Sequence, residues 1–423
     1  MHSTISNNES NQIRMGWLLF ALTALFYFYD FILRMIPSVM MDEIIRIYHT
    51  DASDFALLES SFYLMYTPLQ LFAGPLVDEY GNKRIFPSAI ACCLVGALLS
   101  ALEIHFNLLI LGRMLIGLGS AFAFVIVLKT ASEWLPSYYY PFLSGLTTTL
   151  GMIGGIVAEV VLPSVIHYGS TVMYLGCAVF AIFLMTNSFI FMQDKESHEK
   201  TQVDFKMIIY DIYAVLSLPQ MWIVGLVGCF LFTPVQLFVT WAKSFFIHTL
   251  HISEGNAGHI TSMLFWGVAT GAPFNGWLST QIHNKKVLLK LGSLLACINM
   301  LVILYIPASP WMMSLLMYTL GFFMSSQCLI FVFAKNLVTP HLTATAIATA
   351  NMIVNISSYI QPLIGMQLAN YHKNYDIGLM QYSTRNWQLS LTIIPVLLFI
   401  SYLLCFFIQE NAPKKPSKTT VKS

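Results

Sequence analysis

Five ionisable side chains lie inside runs that are otherwise apolar. Asp30 and Arg34 fall in the run 15–37, Glu59 in 55–77, Arg113 in 107–128 and Glu159 in 140–163. A charge deep in hydrocarbon costs about 2.5–3.5 kcal/mol or more, so it faces a wet cavity or a partner. Such residues can carry a proton, grip an ionised solute or hold one another. At a rise of about 1.5 Å per helical residue, Asp30, Glu59, Arg113 and Glu159 all sit about 7–12 Å from the middle of a bilayer, in its outer half. Arg34 stands one turn beyond Asp30 on the same face, in the favourable acid-then-base order.

Each residue has an active reading and a static one. Asp30 is the expected proton carrier, because a carboxylate beside an arginine changes its protonation when a solute competes for that arginine. The static alternative is a fixed Asp30–Arg34 pair. Arg34 and Arg113 suit a solute carboxylate, since the guanidinium is forked and always charged. Arg113 could equally pair with Asp30, Glu159 or Glu59. Glu159 is the expected second titrating group, or else it snorkels near the outer end of its helix. Glu59 is a third, or else it serves the start of its helix, where an acid is favoured. Tyr27, Tyr29, Tyr63 and Tyr66 flank the same depth. Gln236 follows Thr233-Pro234, where proline frees a carbonyl and permits a kink.

These residues need long helices to position them. The chain has 423 residues, 57% hydrophobic and only 10% charged, with mean hydropathy +0.69. Soluble domains carry about 25% charged residues, so a water-soluble globule is excluded. A spanning helix needs about 20 apolar residues. Twelve such blocks are readable, at 15–37, 55–77, 85–103, 107–128, 140–163, 170–192, 220–242, 257–280, 287–307, 311–334, 342–368 and 387–408. The fold class is therefore all-α and membrane-integral. The expected divisions are a polar tail 1–14, a six-span bundle 15–192, a polar linker 193–219, a second bundle 220–409 and a basic tail 410–423. The second part of the linker, Val203 to Leu218, mixes apolar and polar residues as a helix lying on the membrane surface would; a tether is the alternative.

Charge sets the orientation. With the N-terminus in the cytoplasm, 15 of the 21 Lys and Arg residues fall inside and 4 outside (Arg46, Lys243, Lys373 and Arg385), the other two being Arg34 and Arg113. The positive-inside rule then places both termini in the cytoplasm. The net charge of +1 says nothing about partners, and no nucleic acid is expected among them. The seven cysteines lie in spans and read as small packing residues. The His248, His251, His259 and Glu254 group and the Asp42, Glu43, Asp51 and Asp54 group match no metal-ligand spacing. They read as solvated loop residues, and no metal is expected.

The stretch Gly74-Pro-Leu-Val-Asp78-Glu-Tyr-Gly81-Asn-Lys83-Arg84 reappears 202 residues later as Gly276-Trp-Leu-Ser-Thr-Gln-Ile-His-Asn-Lys-Lys286. A repeat at half the chain length marks two related bundles. Gly74 and Gly81 read as sites of close helix approach and a tight turn. Asp78, at a helix end, reads as half of a latch between the bundles. This loop resembles the signature of the major facilitator superfamily, and Leu111-Gly-Arg113-Met-Leu-Ile-Gly117-Leu-Gly119-Ser-Ala121 resembles its second signature. Glu79 departs from the usual basic residue, and Thr280 and His283 weaken the second copy. The resemblance implies two pseudo-symmetric six-helix bundles, with spans 1, 4, 7 and 10 lining a central cavity. On this chain those spans offer Tyr27, Tyr29, Asp30, Arg34, Arg113, Gln236 and Gln327, and span 11 adds Asn351, Asn355 and Gln361. Gly145, Gly151, Gly154 and Gly155 resemble the superfamily's antiporter motif without its Gly-Pro pair, which favours symport or uniport. The stretch Phe26 to Val39 looks like the first span of bacterial carriers grouped with the lysosomal dipeptide carrier, with some likeness to organic anion symporters.

No phosphate-cradling loop is present, so the proton gradient is the expected energy source, with no cofactor and no enzymatic role. The expected function is secondary transport of an amino acid, short peptide or organic acid, by proton symport. The expected partners are that solute, protons and the lipid bilayer of a bacterial inner membrane, and a monomer is expected. A multidrug or lipid exporter of the same fold and a non-transporting receptor are the alternatives.

Overall fold

The computed structural model describes residues 7–136, 140–165, 168–194, 205–282, 285–339, 342–370 and 382–409. The expected basic tail 410–423 and the first part of the linker lie outside them, as do the side chains of Asp78 and Thr280 and the whole of His283. Among the described residues the secondary structure is helical, with no strand.

Twelve spans follow one another. Span 1 is Asn7–Val39, span 2 Ala52–Tyr80, span 3 Asn82–Ala101, and span 4 Phe106–Ser120 with Ala123–Trp134. Span 5 is Tyr140–Val161 and span 6 Ser170–Phe191. A short helix, Phe205–Leu216, precedes span 7, which runs through Pro219–Leu231, Pro234–Phe238 and Val239–Leu250. Spans 8 and 9 are Glu254–Gln281 and Lys286–Tyr305. Span 10 joins Pro310–Met324, Ser325–Leu329 and Ile330–Asn336; span 11 joins Thr343–Asn355, Ile356–Ile360 and Gln361–Asn370; span 12 joins Thr384–Leu391 and Ile393–Leu404. "Outer" here denotes the end of the bundle away from residues 7 and 409.

Eight of these helices are long and apolar enough on their own to cross a bilayer. Spans 2, 7, 8 and 11 are not among them. Those are spans that meet across the two halves: 2 packs on 11, 5 on 8, and 1 on the outer part of 7. A helix buried against protein needs less hydrocarbon than one facing lipid, so polar residues collect there. The outer starts are capped locally. Asp51 accepts from the backbone of Ser53 and Asp54 at 2.8 and 2.9 Å. Ser253, Ser309 and Ser383 cap spans 8, 10 and 12.

The half-length repeat has a packing counterpart. A Cβ on Gly117 would come within 2.2 Å of the Phe62 carbonyl, and one on Gly321 within 2.1 Å of the Leu264 carbonyl. Span 4 thus crosses span 2 as span 10 crosses span 8, each through a glycine. Gly151 and Gly154 press span 5 on Tyr27, Phe28 and Phe31 of span 1, while Gly155 meets Phe265 of span 8.

The signature loop differs from expectation. A Cβ on Gly74 or Gly276 would meet nothing within 4 Å, so neither is a site of close approach here. Gly81 does make the tight turn, at φ +78°. The described contacts of the loop stay within the first half. Lys129 Nζ donates to the Val77 carbonyl at 2.6 Å and so closes the end of span 2. Asp194 at the end of span 6 accepts from the Lys83 amide at 2.9 Å and so caps span 3. Lys83 and Arg84 are exposed. In the second half, Lys286 donates to the Phe406 and Ile408 carbonyls, at 2.6 and 2.8 Å.

Two loop readings also change. Span 7 runs to Leu250, past its expected end at 242, because its polar residues find partners in the seam. Lys243, expected on the outer side, does lie at that end but is buried. Asp42 and His248, expected to be solvated, each bury an atom that has no hydrogen-bond partner among the described residues. Glu43 instead pairs with the exposed Arg46.

Candidate functional site

Span 1 carries Pro37 inside its helix. Proline has no N–H, so the carbonyl four residues earlier, Leu33, loses its helical donor. Arg113 of span 4 supplies one. Its Nη1 donates to Leu33 O at 3.1 Å, and its Nη2 to Arg34 O at 3.3 Å and to Glu59 Oε2 of span 2 at 3.2 Å. Arg113 is 0% exposed. Its guanidinium therefore ties three spans together, and among the described residues only its Nε is without a partner. Of the expected alternatives for Arg113, the structure shows the pair with Glu59. Glu59 lies two turns beyond the start of span 2, where Asp51 holds the cap.

Arg34 is placed differently. Its Nη2 donates to Asp30 Oδ2 at 3.0 Å. Its guanidinium carbon lies 4.7 Å from the ring of Phe31, 5.1 Å from Phe62 and 4.7 Å from Tyr66. The Phe62 ring is also 5.0 Å from the Arg113 guanidinium, so one aromatic ring serves two cations. Each such contact contributes about 0.5–2 kcal/mol. Tyr27 and Tyr63 complete the electrostatic surroundings of Arg34. Asp30 is 0% exposed; the Ser120 hydroxyl lies beside its carboxylate, but among the described residues no hydrogen bond is completed at its Oδ1 or at Arg34 Nε. A buried ion pair is weak evidence for stability, because desolvation offsets the attraction. This one is also incomplete, with a spare acceptor on one side and a spare donor on the other.

The second half answers with amides. Span 7 widens into a π turn at Pro234–Phe238, which disturbs the ladder of carbonyls around it. Gln361 Nε2 donates to the Gln236 carbonyl at 2.9 Å and to Thr240 Oγ1 at 2.7 Å, while its Oε1 accepts from Trp241 Nε1 at 2.7 Å. Gln236 Nε2 donates to Asn355 Oδ1 at 2.7 Å. Asn355 Nδ2 donates back to Asn351 O at 2.8 Å and across the seam to Gln70 Oε1 of span 2 at 3.3 Å. Tyr66 reaches both Gln70 and Arg34. A polar path thus runs from Asp30 and Arg34 through Tyr66 and Gln70 to the breaks in spans 7 and 11.

Not every expected residue joins this cluster. Tyr27 does, packed on Phe31 and Phe124. Tyr29 is turned to span 6, where its hydroxyl donates to the Cys177 carbonyl at 2.9 Å. Glu159 lies apart, on the outer seam near Lys243. Gln327 and Asn351 are half-buried. Phe62, Gln70 and Asp194 were not singled out from the sequence. The signal for the first two was present: Glu59, Phe62, Tyr63, Tyr66 and Gln70 follow helical spacing along one face of span 2.

The sequence matches the Major Facilitator Superfamily profile over residues 20–362 and 242–423. This chain belongs to the major facilitator superfamily. Its relatives include an uncharacterized transporter of Buchnera aphidicola, 22% identical over 60% of this chain and 62% of that protein. A probable sulfoacetate transporter of Cupriavidus necator is 23% identical over 66% of this chain and 69% of that protein. The alignment thus spans less than two thirds of the Buchnera relative and slightly more of the Cupriavidus one. Among solved structures, a bacterial homolog of the human lysosomal transporter Spinster, inward-facing and unoccupied, superposes with a TM-score of 0.78 at 14% identity, covering 93% of this chain and 97% of that one. The fold of this superfamily member is thereby shown: all-α, twelve membrane spans in two pseudo-symmetric six-helix bundles.

Proposed function

We propose that this superfamily member moves a small polar or carboxylate-bearing organic solute by alternating access, with proton symport. One observation carries the reading: the buried Asp30–Arg34 pair, whose Oδ1 and Nε, without a hydrogen bond among the described residues, leave room for one proton and one anion. Arg113 and Glu59 hold the scaffold, so Arg34 is the cation that meets the solute. An arriving carboxylate takes the place of Asp30 at Arg34. Asp30, left buried without its cation, binds a proton, because an unpaired carboxylate is costly away from water. Solute and proton then cross together as the halves 15–192 and 220–409 rock about the seam. After the solute leaves, Arg34 recaptures Asp30 and the proton departs. The probable sulfoacetate transporter among the relatives handles a small organic anion by name, which supports the same solute class.

The excess of Lys and Arg on one side supports cytoplasmic termini in a bacterial inner membrane. The short helix Phe205–Leu216 turns sharply away from span 7, the bend being 80°, and exposes Ile209, Tyr210 and Tyr213. That suits a helix resting on the inner leaflet.

The test is uptake into liposomes holding the purified protein under an imposed pH gradient, screened with amino acids, dipeptides, organic acids and sugars. The expected result is accumulation of an anionic or zwitterionic solute that a protonophore abolishes. Accumulation indifferent to the protonophore, or of neutral sugars alone, would contradict the proposal.

A further inference from the structure

A second group of ionisable side chains lies on the outer seam, away from Asp30 and Arg34. Lys243 is 5% exposed. Its Nζ donates to the Val39 carbonyl at the end of span 1, at 2.7 Å, and to Glu254 Oε2 at the start of span 8, at 3.0 Å. One ammonium thus pins the outer end of the first half to the second. Glu159, on span 5 of the first half, is 1% exposed. Among the described residues its Oε2 has no hydrogen-bond partner, and Lys243 is the charge that acts on it. Its backbone carbonyl lies under Gly258 of span 8, where a Cβ would come within 2.2 Å, so the residue is held at the contact between halves.

Asp42 sits in the short helix Met41–Tyr48 that follows span 1. It also buries an unpartnered oxygen. His248, Lys243 and Glu254 of the second half act on it, and burial pushes its carboxyl above the usual carboxylate range against the pull of His248 and Lys243. His248 stacks on Trp387, ring centroids 6.4 Å apart at 12°, and buries an unpartnered Nε2. His251 is its other ionisable neighbour. The Glu254 side chain is 49% exposed and therefore screened by water. With all three acids ionised, Glu159, Asp42 and the half-exposed Glu254 surround one buried ammonium, whose ion pair is with Glu254, so the two buried acids carry negative charge that it does not match. Such a charge is costly in a closed seam and harmless in a wet one.

We propose that the closed outer seam is a proton-binding site, in which Glu159 and Asp42 share Lys243 and hold one proton that is released when the seam opens. The proposal rests on the alternating-access reading only in requiring that the seam opens. The sign follows from the burial of the acids. Closure takes up a proton, so acid favours the closed outer face and alkali the open one. One linked proton changes the open-to-closed ratio by up to about tenfold per pH unit.

The test uses spin labels at Asp54→Cys and Asn256→Cys, two exposed outer positions on opposite halves, in the otherwise native full-length chain, whose seven cysteines are buried or half-buried. Distances are measured in liposomes from pH 5 to pH 8 without solute. The expected result is a short distance at low pH that gives way to a longer one as pH rises. Glu159→Gln and Asp42→Asn should each keep the short distance throughout, because the neutral amide stands in for the protonated acid. A distance independent of pH in the native chain would overturn the proposal. So would native pH dependence in both amide variants, or its loss only in His248→Gln. Closure at pH 8 by sodium chloride but not by choline chloride would make the site one for a metal cation and overturn it too. The transport reading fails separately. An Asp30→Asn protein that accumulates solute normally while the seam still responds to pH would refute the role of Asp30 and leave the seam site standing.

Discussion

The two halves of this protein share a fold and divide their polar chemistry unequally. The first half buries charges: Asp30, Arg34, Glu59, Arg113 and Glu159. The second half buries mainly amides at its helix breaks, Gln236, Asn355 and Gln361, and among the described residues its one buried charge is Lys243 on the outer seam. The amides find partners in one another, in Trp241, Thr240 and backbone carbonyls and in Gln70, and none of their buried atoms is unpartnered among the described residues. The charges do not, since Asp30, Glu59 and Glu159 each keep a spare oxygen and both arginines a spare Nε. A saturated network holds one arrangement, whereas spare valences can take a proton or an anion. The helix breaks fit this division. In the second half the π turn of span 7 and the 3-10 turn of span 11 lie side by side and are sewn together by Gln236, Asn355 and Gln361. In the first half the proline break of span 1 is filled by an arginine.

The comparison can be broken most forcefully at Arg113. Arg113→Ala removes the donor to Leu33 and strands Glu59, and removing one partner of a buried pair costs about 3–5 kcal/mol. The expected outcome is loss of monodisperse protein and a large fall in melting temperature, with part of the loss recovered in Glu59→Gln/Arg113→Gln. An Arg113→Ala protein that melts like the native chain would show that the pair is not structural.

A smaller effect is expected at Gln361. Gln361→Ala removes the side-chain donor to the Gln236 carbonyl and leaves the Trp241 indole N–H without its partner, at about 1–3 kcal/mol for a buried group left unsatisfied. Melting should fall while uptake keeps its dependence on the proton gradient. Loss of that dependence with unchanged melting would place proton coupling in the second half.

The smallest change in stability is expected for Arg34→Lys. The charge survives, but the flat contact with Phe31, Phe62 and Tyr66 is lost, and an ammonium cannot grip a carboxylate in two places. Losing about 1.4 kcal/mol from this source raises KM about tenfold. A KM unchanged by the substitution would remove Arg34 from the solute site.

Much of this was legible in the sequence, and the reasons differ by residue. Twelve apolar blocks and the half-length repeat follow from bilayer thickness and from duplication, so the fold class could be read directly. The buried charges stood out because hydrocarbon penalises them. Their pairing was not legible. Arg113 had Asp30, Glu59 and Glu159 at similar depth, and only the rotation of each span about its axis distinguishes them. The Asp194 cap was invisible because it joins residues more than a hundred positions apart. Asp42 and His248 looked solvated because a loop's composition does not reveal that another half closes over it. Gly74 shows the converse error: the pattern invited a close approach, and the described packing leaves it clear.

The central claim is that Asp30 carries the proton that drives the solute. The direct measurement is solute movement by Asp30→Asn in liposomes, read once as accumulation under a pH gradient and once as exchange of labelled for unlabelled solute at equal pH. Accumulation should be lost while exchange persists, because the neutral amide frees Arg34 without cycling a proton. Accumulation at the native level in that variant would contradict it.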